Sequence, residues 1–138
     1  MILNAMVPML AVADLGRTMR FYCDELGFKV ANTSTRSGDP AIVWCMLRRD
    51  RVSLMFNGPG ARIGDEPPGR PGDFQILYFY PDDVRALHAG WKAKGLPVTD
   101  LRVTTYCMRE FELRDPDGYR LWFGEETTAA ATVDEDFD

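Results

Sequence analysis

Residues 8–27 read PMLAVADLGRTMRFYCDELG, and this stretch decides the fold because it joins a strand, a helix cap and a helix in one unit. The apolar run 8–13 precedes Asp14, a residue type that caps helix N-termini, so it predicts a strand that leads into a helix. Gly27 marks the end of that helix, since glycine readily adopts the left-handed conformation found there. The helix has one apolar stripe, made of Leu15, Met19, Tyr22 and Leu26.

The same arrangement recurs in the second half of the chain. Residues 77–80 read LYFY and are followed by Asp82 and Asp83 as a cap, by an apolar helix stripe and by Gly95 as a stop. Aligning Asp14 with Asp83 superimposes the two units, which indicates an internal duplication. Each unit continues into three strand-like runs, at 28–35, 41–47 and 52–56 and again at 101–107, 109–114 and 119–124. The sequence therefore predicts an α+β fold of two βαβββ modules.

Turn and loop signals set the boundaries of the modules. The sequence DPDG at 115–118 predicts a tight turn, so the last two strands should form a hairpin. A Gly/Pro-rich loop is expected to join modules at about 5–57 and 73–125. We expect one domain over residues 1–126, followed by an acidic disordered tail over 127–138.

The composition excludes several classes of protein. The chain has 138 residues, 46% of them hydrophobic and 27% charged, which is typical of a soluble globular domain. It contains no apolar run of about 20 residues, as a membrane helix needs, and no signal-peptide pattern, so we expect a cytoplasmic protein without membrane contact. The net charge is −5, but the last 14 residues hold 6 acids and no base. The rest of the chain is nearly neutral, so no nucleic-acid partner is expected.

Cysteine and histidine are sparse. The 3 cysteines form no CxxC or Cys/His cluster, which argues against a disulfide framework and a structural zinc site. His88 is the single histidine, and its place on the apolar border of a helix is more typical of a structural residue than of a catalytic base. We assign no role to Cys107.

Two motifs give the chain a resemblance to a known family. The first combines VPML at 7–10 and Asp14 with FY at 21–22 and LGF at 26–28, and the second is REFELRDPDG at 109–118. Together they resemble the opening and closing motifs of the vicinal oxygen chelate superfamily, which includes glyoxalase I, extradiol dioxygenases and bleomycin resistance proteins. The resemblance implies homodimers of paired βαβββ modules (the glyoxalase/bleomycin resistance/dioxygenase fold), whose curved mixed sheets form a ligand cleft.

The resemblance also indicates where the family's enzymes hold a divalent metal. Counting from the capping aspartates and the DPDG turn places these positions at Val7, Ile76 and Trp122, none of which offers a ligating atom. Among their neighbours only Gln75 carries a donor. We therefore expect no metal and no cofactor, as in the bleomycin resistance branch, which Pro8 in the first strand also resembles. In that branch the proline accompanies exchange of the N-terminal strand between subunits.

Aromatic side chains are the first candidates for ligand contact. Strand alternation places Tyr78, Tyr80 and Trp122 in the cleft if their neighbours pack under the helices, and such rings suit a planar or cationic small molecule. The alternative is that they fill a closed cleft or a dimer interface. Trp44 matches an apolar cleft position in the resemblance, or else it belongs to the core. Tyr106 stands where the bleomycin resistance branch commonly has a tryptophan, and it joins the candidate set.

Two carboxylates complete the set of candidate ligand-binding residues. Glu110 and Glu112 alternate with apolar residues, so both lie opposite the helix-packed face of their strand. Either could neutralise a cationic ligand. Alternatively, both lie on an exposed strand face, where Arg109 and Arg114 would pair with them.

Two functions follow from these residues and the resemblance. The leading hypothesis is a metal-free homodimer that binds a small molecule, resembling the antibiotic-binding and drug-sequestering resistance proteins, with no catalytic residue. The second is a metal-dependent lyase, transferase or dioxygenase of the same superfamily, for which Gln75, Glu110 and Glu112 would have to supply the metal ligands. Metal analysis of the purified protein distinguishes them.

Overall fold

The computed structural model describes residues 1–60 and 75–133. The chain divides into two compact units, Met1–Arg70 and Pro71–Asp138. Each unit contains helical structure and a four-stranded mixed sheet, which confirms the predicted α+β fold of two βαβββ modules. No helix among the described residues is long and apolar enough to cross a membrane.

The first module begins with the strand and capped helix that the sequence predicts. Asp14 is the N-cap, and its side chain accepts a hydrogen bond from the Arg17 backbone N–H at 3.0 Å. Gly27 has φ +80°, the left-handed conformation expected after a helix. The module consists of β1 (Met9–Ala11), α1 (Leu15–Arg20, continued by a π-helix over Phe21–Glu25), β2 (Lys29–Thr35), β3 (Ile42–Arg49) and β4 (Val52–Asn57). The strand order is β1-β4-β3-β2, and β1 runs parallel to β4.

The second module repeats this arrangement. It consists of β5 (Ile76–Phe79), α2 (Val84–Ala93), β6 (Arg102–Val103), β7 (Met108–Arg114) and β8 (Arg120–Glu126), in the order β5-β8-β7-β6. Asp83 caps α2 by accepting from the Ala86 backbone N–H at 3.0 Å. The predicted DPDG turn joins β7 to β8, with the Asp115 side chain accepting from the backbone of Tyr119 at 2.9 Å and Gly118 at φ +89°.

Each module has its own core between helix and sheet. In the first, Tyr22 of the π-helix packs against Phe56 of β4, with ring centroids 4.8 Å apart. In the second, Trp91 of α2 contacts the ring of Phe123 edge-on at 4.9 Å, and Phe123 stacks on Phe111 at 5.2 Å. These contacts fix which face of the second sheet lies under α2.

The largest departure from the sequence prediction concerns the strand expected over 101–107. Only Arg102–Val103 forms a strand, and residues 104–107 form a turn. The side chain of Thr104 accepts from the Met108 backbone N–H at 3.1 Å, and Cys107 adopts φ +66°. A side chain that bonds to nearby backbone competes with strand pairing, and a positive φ ends the extended conformation.

The predicted boundaries of the domain, its loop and its tail stay predictions. Most of the Gly/Pro-rich loop, residues 61–74, lies outside the described residues, as do residues 134–138 of the tail. The first part of the tail is described, and Thr127 and Thr132 both hydrogen-bond to the second module.

Candidate functional site

The candidate site lies on the face of the second sheet that turns away from α2. Phe111 and Phe123 project toward the helix, so strand alternation sends Glu110, Glu112 and Trp122 to the opposite face. The register sets them side by side, because Glu112 pairs with Trp122. Five of the seven predicted ligand-binding residues form two hydrogen-bonded groups: Tyr78 and Tyr106 with Glu110, and Trp122 with Glu112.

Glu110 is the buried centre of the first group, with only 1% of its surface exposed. Its Oε2 accepts a hydrogen bond from the Tyr78 hydroxyl at 2.7 Å, and its Oε1 accepts from the Tyr106 hydroxyl at 2.5 Å. Arg102, its partner across the β6–β7 ladder, donates to Oε1 from Nη2 at 3.1 Å. A carboxylate that leaves water needs such donors, and here two phenols and a guanidinium supply them.

Gly124 allows Tyr78 to reach this carboxylate. Gly124 is the cross-strand partner of Glu110 on β8, while Tyr78 extends from the neighbouring strand β5. A Cβ atom at position 124 would overlap the Tyr78 ring. The absence of a side chain there leaves the space in which the ring crosses β8.

Glu112 is the centre of the second group. Its Oε1 accepts from Arg120 Nε at 2.5 Å and from the Trp122 indole N–H at 2.8 Å, while Arg114 Nε lies 3.8 Å from Oε2. The guanidinium carbons of Arg102 and Arg120 each lie 5.4 Å from the Trp122 ring centroid, within cation–π range. Trp122 is only 7% exposed, so arginine side chains already occupy much of the surface on which a ligand was expected to stack.

The protonation of these groups follows from their surroundings. Burial and the hydrogen bond to Glu110 raise the pKa of Tyr78 well above its ordinary value, and the same two causes raise the pKa of Tyr106 to about 12. Burial alone would raise the pKa of Glu112, but hydrogen bonds from Trp122 and Arg120, with the arginine charges, hold it below its usual range. The two phenols therefore stay protonated as donors and Glu112 stays charged across the neutral range.

A concavity of about 170 Å³ opens on this face. Its volume is below that of most pockets that enclose a drug-sized ligand, so it can hold one ring or one polar group while the rest of a ligand extends outside. Its lining combines charged, polar and aromatic groups: Thr99, Asp100, Arg102, Glu110, Phe111, Glu112, Arg120 and Trp122.

Two predicted site residues remain, Tyr80 in the second module and Trp44 in the first. Tyr80 follows β5, its ring centroid is 5.0 Å from that of Tyr78, and it is 75% exposed. Trp44 is half-buried on β3 of the first module, where its register partners are Ser34 and Asn57.

Arg102 and Arg120 were not predicted from the sequence. Arg109 and Arg114 were the expected partners of the glutamates because they are neighbours in sequence, and Arg114 does lie 3.8 Å from Glu112. The closer partners come from adjacent positions on the sheet face: Arg102 across the ladder from Glu110, and Arg120 two residues before Trp122. The spacing of Arg120 and Trp122 was a usable signal, because residues two apart on a strand share a face.

The residues at the counted metal positions do not fit a divalent ion. Val7 and Ile76 have no donor atom, and the Trp122 indole donates a hydrogen bond instead of accepting one. The oxygens of Glu110 and Glu112 already accept from tyrosine, arginine and tryptophan. Over residues 1–60 and 75–133, no group of three His, Cys, Asp or Glu side chains is placed to hold a metal.

His88 and two of the cysteines, Cys23 and Cys45, are wholly or partly buried. His88 Nε2 lies 2.8 Å from the Thr99 carbonyl oxygen, and the ring packs edge-on against Phe111. Burial raises the pKa of the Cys45 thiol to about 11 and also raises that of Cys23, so neither forms the reactive thiolate at neutral pH.

Comparisons with known proteins agree with this fold. The family model described as the Glyoxalase/Bleomycin resistance protein/Dioxygenase superfamily matches residues 3–123. A bleomycin resistance determinant encoded on the transposon Tn5 is 20% identical with a TM-score of 0.70, covering 90% of this chain and 98% of that one. TnmS3, an antibiotic binding protein from Streptomyces sp. CB03234, is 22% identical with a TM-score of 0.68, covering 91% and 98%. The protein SMU.1112c is 23% identical with a TM-score of 0.72, covering 91% and 100%. No curated protein matches the chain.

Proposed function

Because the chain belongs to the glyoxalase/bleomycin resistance protein/dioxygenase superfamily, we propose that it binds a planar small molecule without a metal and without chemical conversion. The observation that carries the proposal is that the carboxylates of Glu110 and Glu112 already have hydrogen-bond partners within the protein. Glu110 and Glu112 are two of the acidic groups on the candidate face, and each is already held by hydrogen-bond donors from the protein. We propose that a ligand contacts the positioned hydrogen-bond donors and the aromatic rings of this face, and not a metal ion.

The charges of the site give little reason for a strong preference for cations. Three acidic side chains and three arginines line or adjoin the concavity, so their charges cancel: Asp100, Glu110 and Glu112 against Arg102, Arg114 and Arg120. Tyr80 is the most exposed aromatic ring beside this face and offers a stacking surface. We propose that the site selects ligands by their planar shape more than by a positive charge.

Two of the structural relatives support a sequestering role. The Tn5 determinant is a bleomycin resistance protein, and TnmS3 is an antibiotic binding protein. By analogy, we propose that this chain sequesters an antibiotic or a similar compound in the cytoplasm, as a homodimer.

A thermal-shift screen tests the ligand class. Planar aromatic cations, neutral planar aromatics and planar aromatic carboxylates are compared on the wild type and on Tyr80→Ala. We expect stabilisation by members of more than one charge class, and a loss of about 1–3 kcal/mol of affinity in Tyr80→Ala, as stacking contacts typically contribute. Lys92→Ala, which changes an exposed residue of α2, is the control. The proposal fails if no planar compound binds, or if Tyr80→Ala binds as tightly as the wild type.

Metal analysis tests the alternative enzyme. A bound ion would stabilise the native state by mass action, so treatment with EDTA should leave both the melting temperature and ligand binding unchanged. The metal-dependent enzyme would need Gln75, Glu110 and Glu112 as ligands, and both glutamates would have to give up their present partners. A stoichiometric content of Zn, Fe, Mn or Ni in the purified protein would favour that enzyme over the binding protein.

A further inference from the structure

Residues 127–132, which we name the strap, return along the outer edge of β6. At one end, the Thr127 backbone N–H donates to the Cys107 carbonyl at 3.0 Å. At the other end, the Thr132 backbone N–H donates to the Val103 carbonyl at 2.9 Å, and the Val103 N–H donates to Thr132 Oγ1 at 2.9 Å. The strap is thus hydrogen-bonded to both ends of the segment 103–107.

That segment and the residue before it carry two of the three donors to Glu110. Arg102 lies on β6 and Tyr106 lies in the turn that follows, and both donate to Glu110 Oε1. The same Arg102 guanidinium lies over the Trp122 ring. Any displacement of this segment would therefore change both groups of the candidate site.

Pairing with β7 alone gives this segment few hydrogen bonds. β6 is 2 residues long and lies at the end of the strand order, so β7 is its one neighbour in the sheet. Val103 is 5% exposed, and the strap supplies the partners of its outward N–H and carbonyl. Without those partners, two backbone groups would be left unsatisfied in a nearly dry position, which strongly disfavours the ordered conformation.

We propose that Thr132 is a positioning residue, which holds the Val103 backbone and thereby keeps Arg102 and Tyr106 on Glu110. The inference rests on the proposed function in one respect: it takes the placement of Arg102 and Tyr106 on Glu110 to serve ligand binding. Thr132 acts through the Val103 backbone, so its role is separable from that of the residues that bond to Glu110.

Thr132→Val tests the proposal because valine keeps the shape of threonine and removes the oxygen that accepts from Val103. Two signals are measured by NMR on the full chain: hydrogen exchange at the Val103 amide, and titration of the Tyr106 phenol, assigned with Tyr106→Phe. We expect Val103 to exchange at least about tenfold faster. We also expect the pKa of Tyr106 to fall from about 12 toward the ordinary phenol value of about 10.

Two further variants serve as rescue and control. Thr132→Ser keeps the hydroxyl and should retain both wild-type signals. Thr128→Val makes the same change at an exposed threonine of the strap and should alter neither. If Thr132→Val does not fold, the same signals are read on Thr132→Ala, which removes the same oxygen and keeps the backbone N–H that bonds to the Val103 carbonyl.

The proposal is overturned if Tyr106 titrates as in the wild type while Val103 exchanges faster, because the strap would then only cover a sheet edge. It is equally overturned if neither signal changes. Both signals are read without a ligand, so a failed ligand screen would remove the proposed function and leave the result for Thr132 standing.

Discussion

At the scale of single residues, Glu110 has the largest expected effect on stability. Its side chain is almost completely buried and accepts from Tyr78, Tyr106 and Arg102. Glu110→Gln leaves the Arg102 guanidinium without its charged partner and presents an amide N–H₂ to other donors. We expect a loss of about 2–4 kcal/mol in the free energy of unfolding, measured by urea denaturation. Glu126→Gln, an exposed change on β8, should stay within about 0.5 kcal/mol of the wild type. Equal midpoints for the two variants would contradict the arrangement described for Glu110.

The two phenols on Glu110 predict a stability that depends on pH on the alkaline side. The pKa of an unfolded tyrosine is about 10, whereas burial and the hydrogen bond to Glu110 raise the pKa of Tyr106 to about 12 and also raise that of Tyr78. The native state therefore keeps phenol protons that the unfolded chain loses above about pH 10, so the tyrosine contribution to the free energy of unfolding is constant below that pH and falls as pH rises above it. Denaturation midpoints between pH 8 and about 11.5 measure the slope. Tyr106→Phe should flatten it, and an unchanged slope in that variant would disprove the assignment.

Strand alternation was enough to predict the faces of these residues, but not their partners. The pattern that placed Glu110 and Glu112 opposite the apolar residues of β7 is local, with a period of two residues. Their partners Arg102 and Arg120 lie on other strands, and which residues face each other depends on the register of the ladder. Register is set by turn geometry and packing of the whole sheet, so the sequence indicated sequence neighbours as partners and missed the residues across the ladder.

At the scale of elements, the contact between β5 and β8 depends on Gly124. A methyl group there would meet the Tyr78 ring, so Gly124→Ala must displace the ring and weaken its hydrogen bond to Glu110. We expect a loss of about 1–3 kcal/mol in the free energy of unfolding. The matched control is Gly90→Ala on α2, where a Cβ would meet no atom within 4 Å. That change should stabilise the protein by about 0.5–1 kcal/mol, because alanine is the better helix former. The same sign for both variants, measured by thermal or urea denaturation, would contradict the predicted contact.

The elements that were predicted correctly are those with local signals. Asp14 and Asp83 cap their helices as expected, and the DPDG turn joins β7 to β8. The shortened β6 was not predicted, because its end depends on hydrogen bonds from the Thr104 side chain and on the positive φ of Cys107, neither of which alters the apolar pattern. The π-helix over Phe21–Glu25 was also missed, since its apolar stripe reads as an ordinary helix.

At the scale of the whole molecule, the start of the chain predicts self-association. Four large apolar side chains in the first six residues are at least 79% exposed: Met1, Ile2, Leu3 and Met6. Such a group of exposed apolar residues is typical of an interface, and a second copy of the chain is the partner that the family resemblance implies. The sequence alone could identify this segment as apolar, but not that it lies outside the core, because β1 begins only at Met9.

Sedimentation velocity tests this prediction over a range of micromolar concentrations. We expect a dimer for the wild type and a shift toward the monomer for the double variant Leu3→Asp and Met6→Asp, because burying two carboxylates in an apolar interface without partners is strongly unfavourable. Ala89→Asp places a charge on an exposed position of α2 and should leave the dimer intact. A wild type that sediments as a monomer at every concentration would exclude the dimer, while the fold of the two modules would stand. A dimer that persists in the double variant would place the interface elsewhere on the chain.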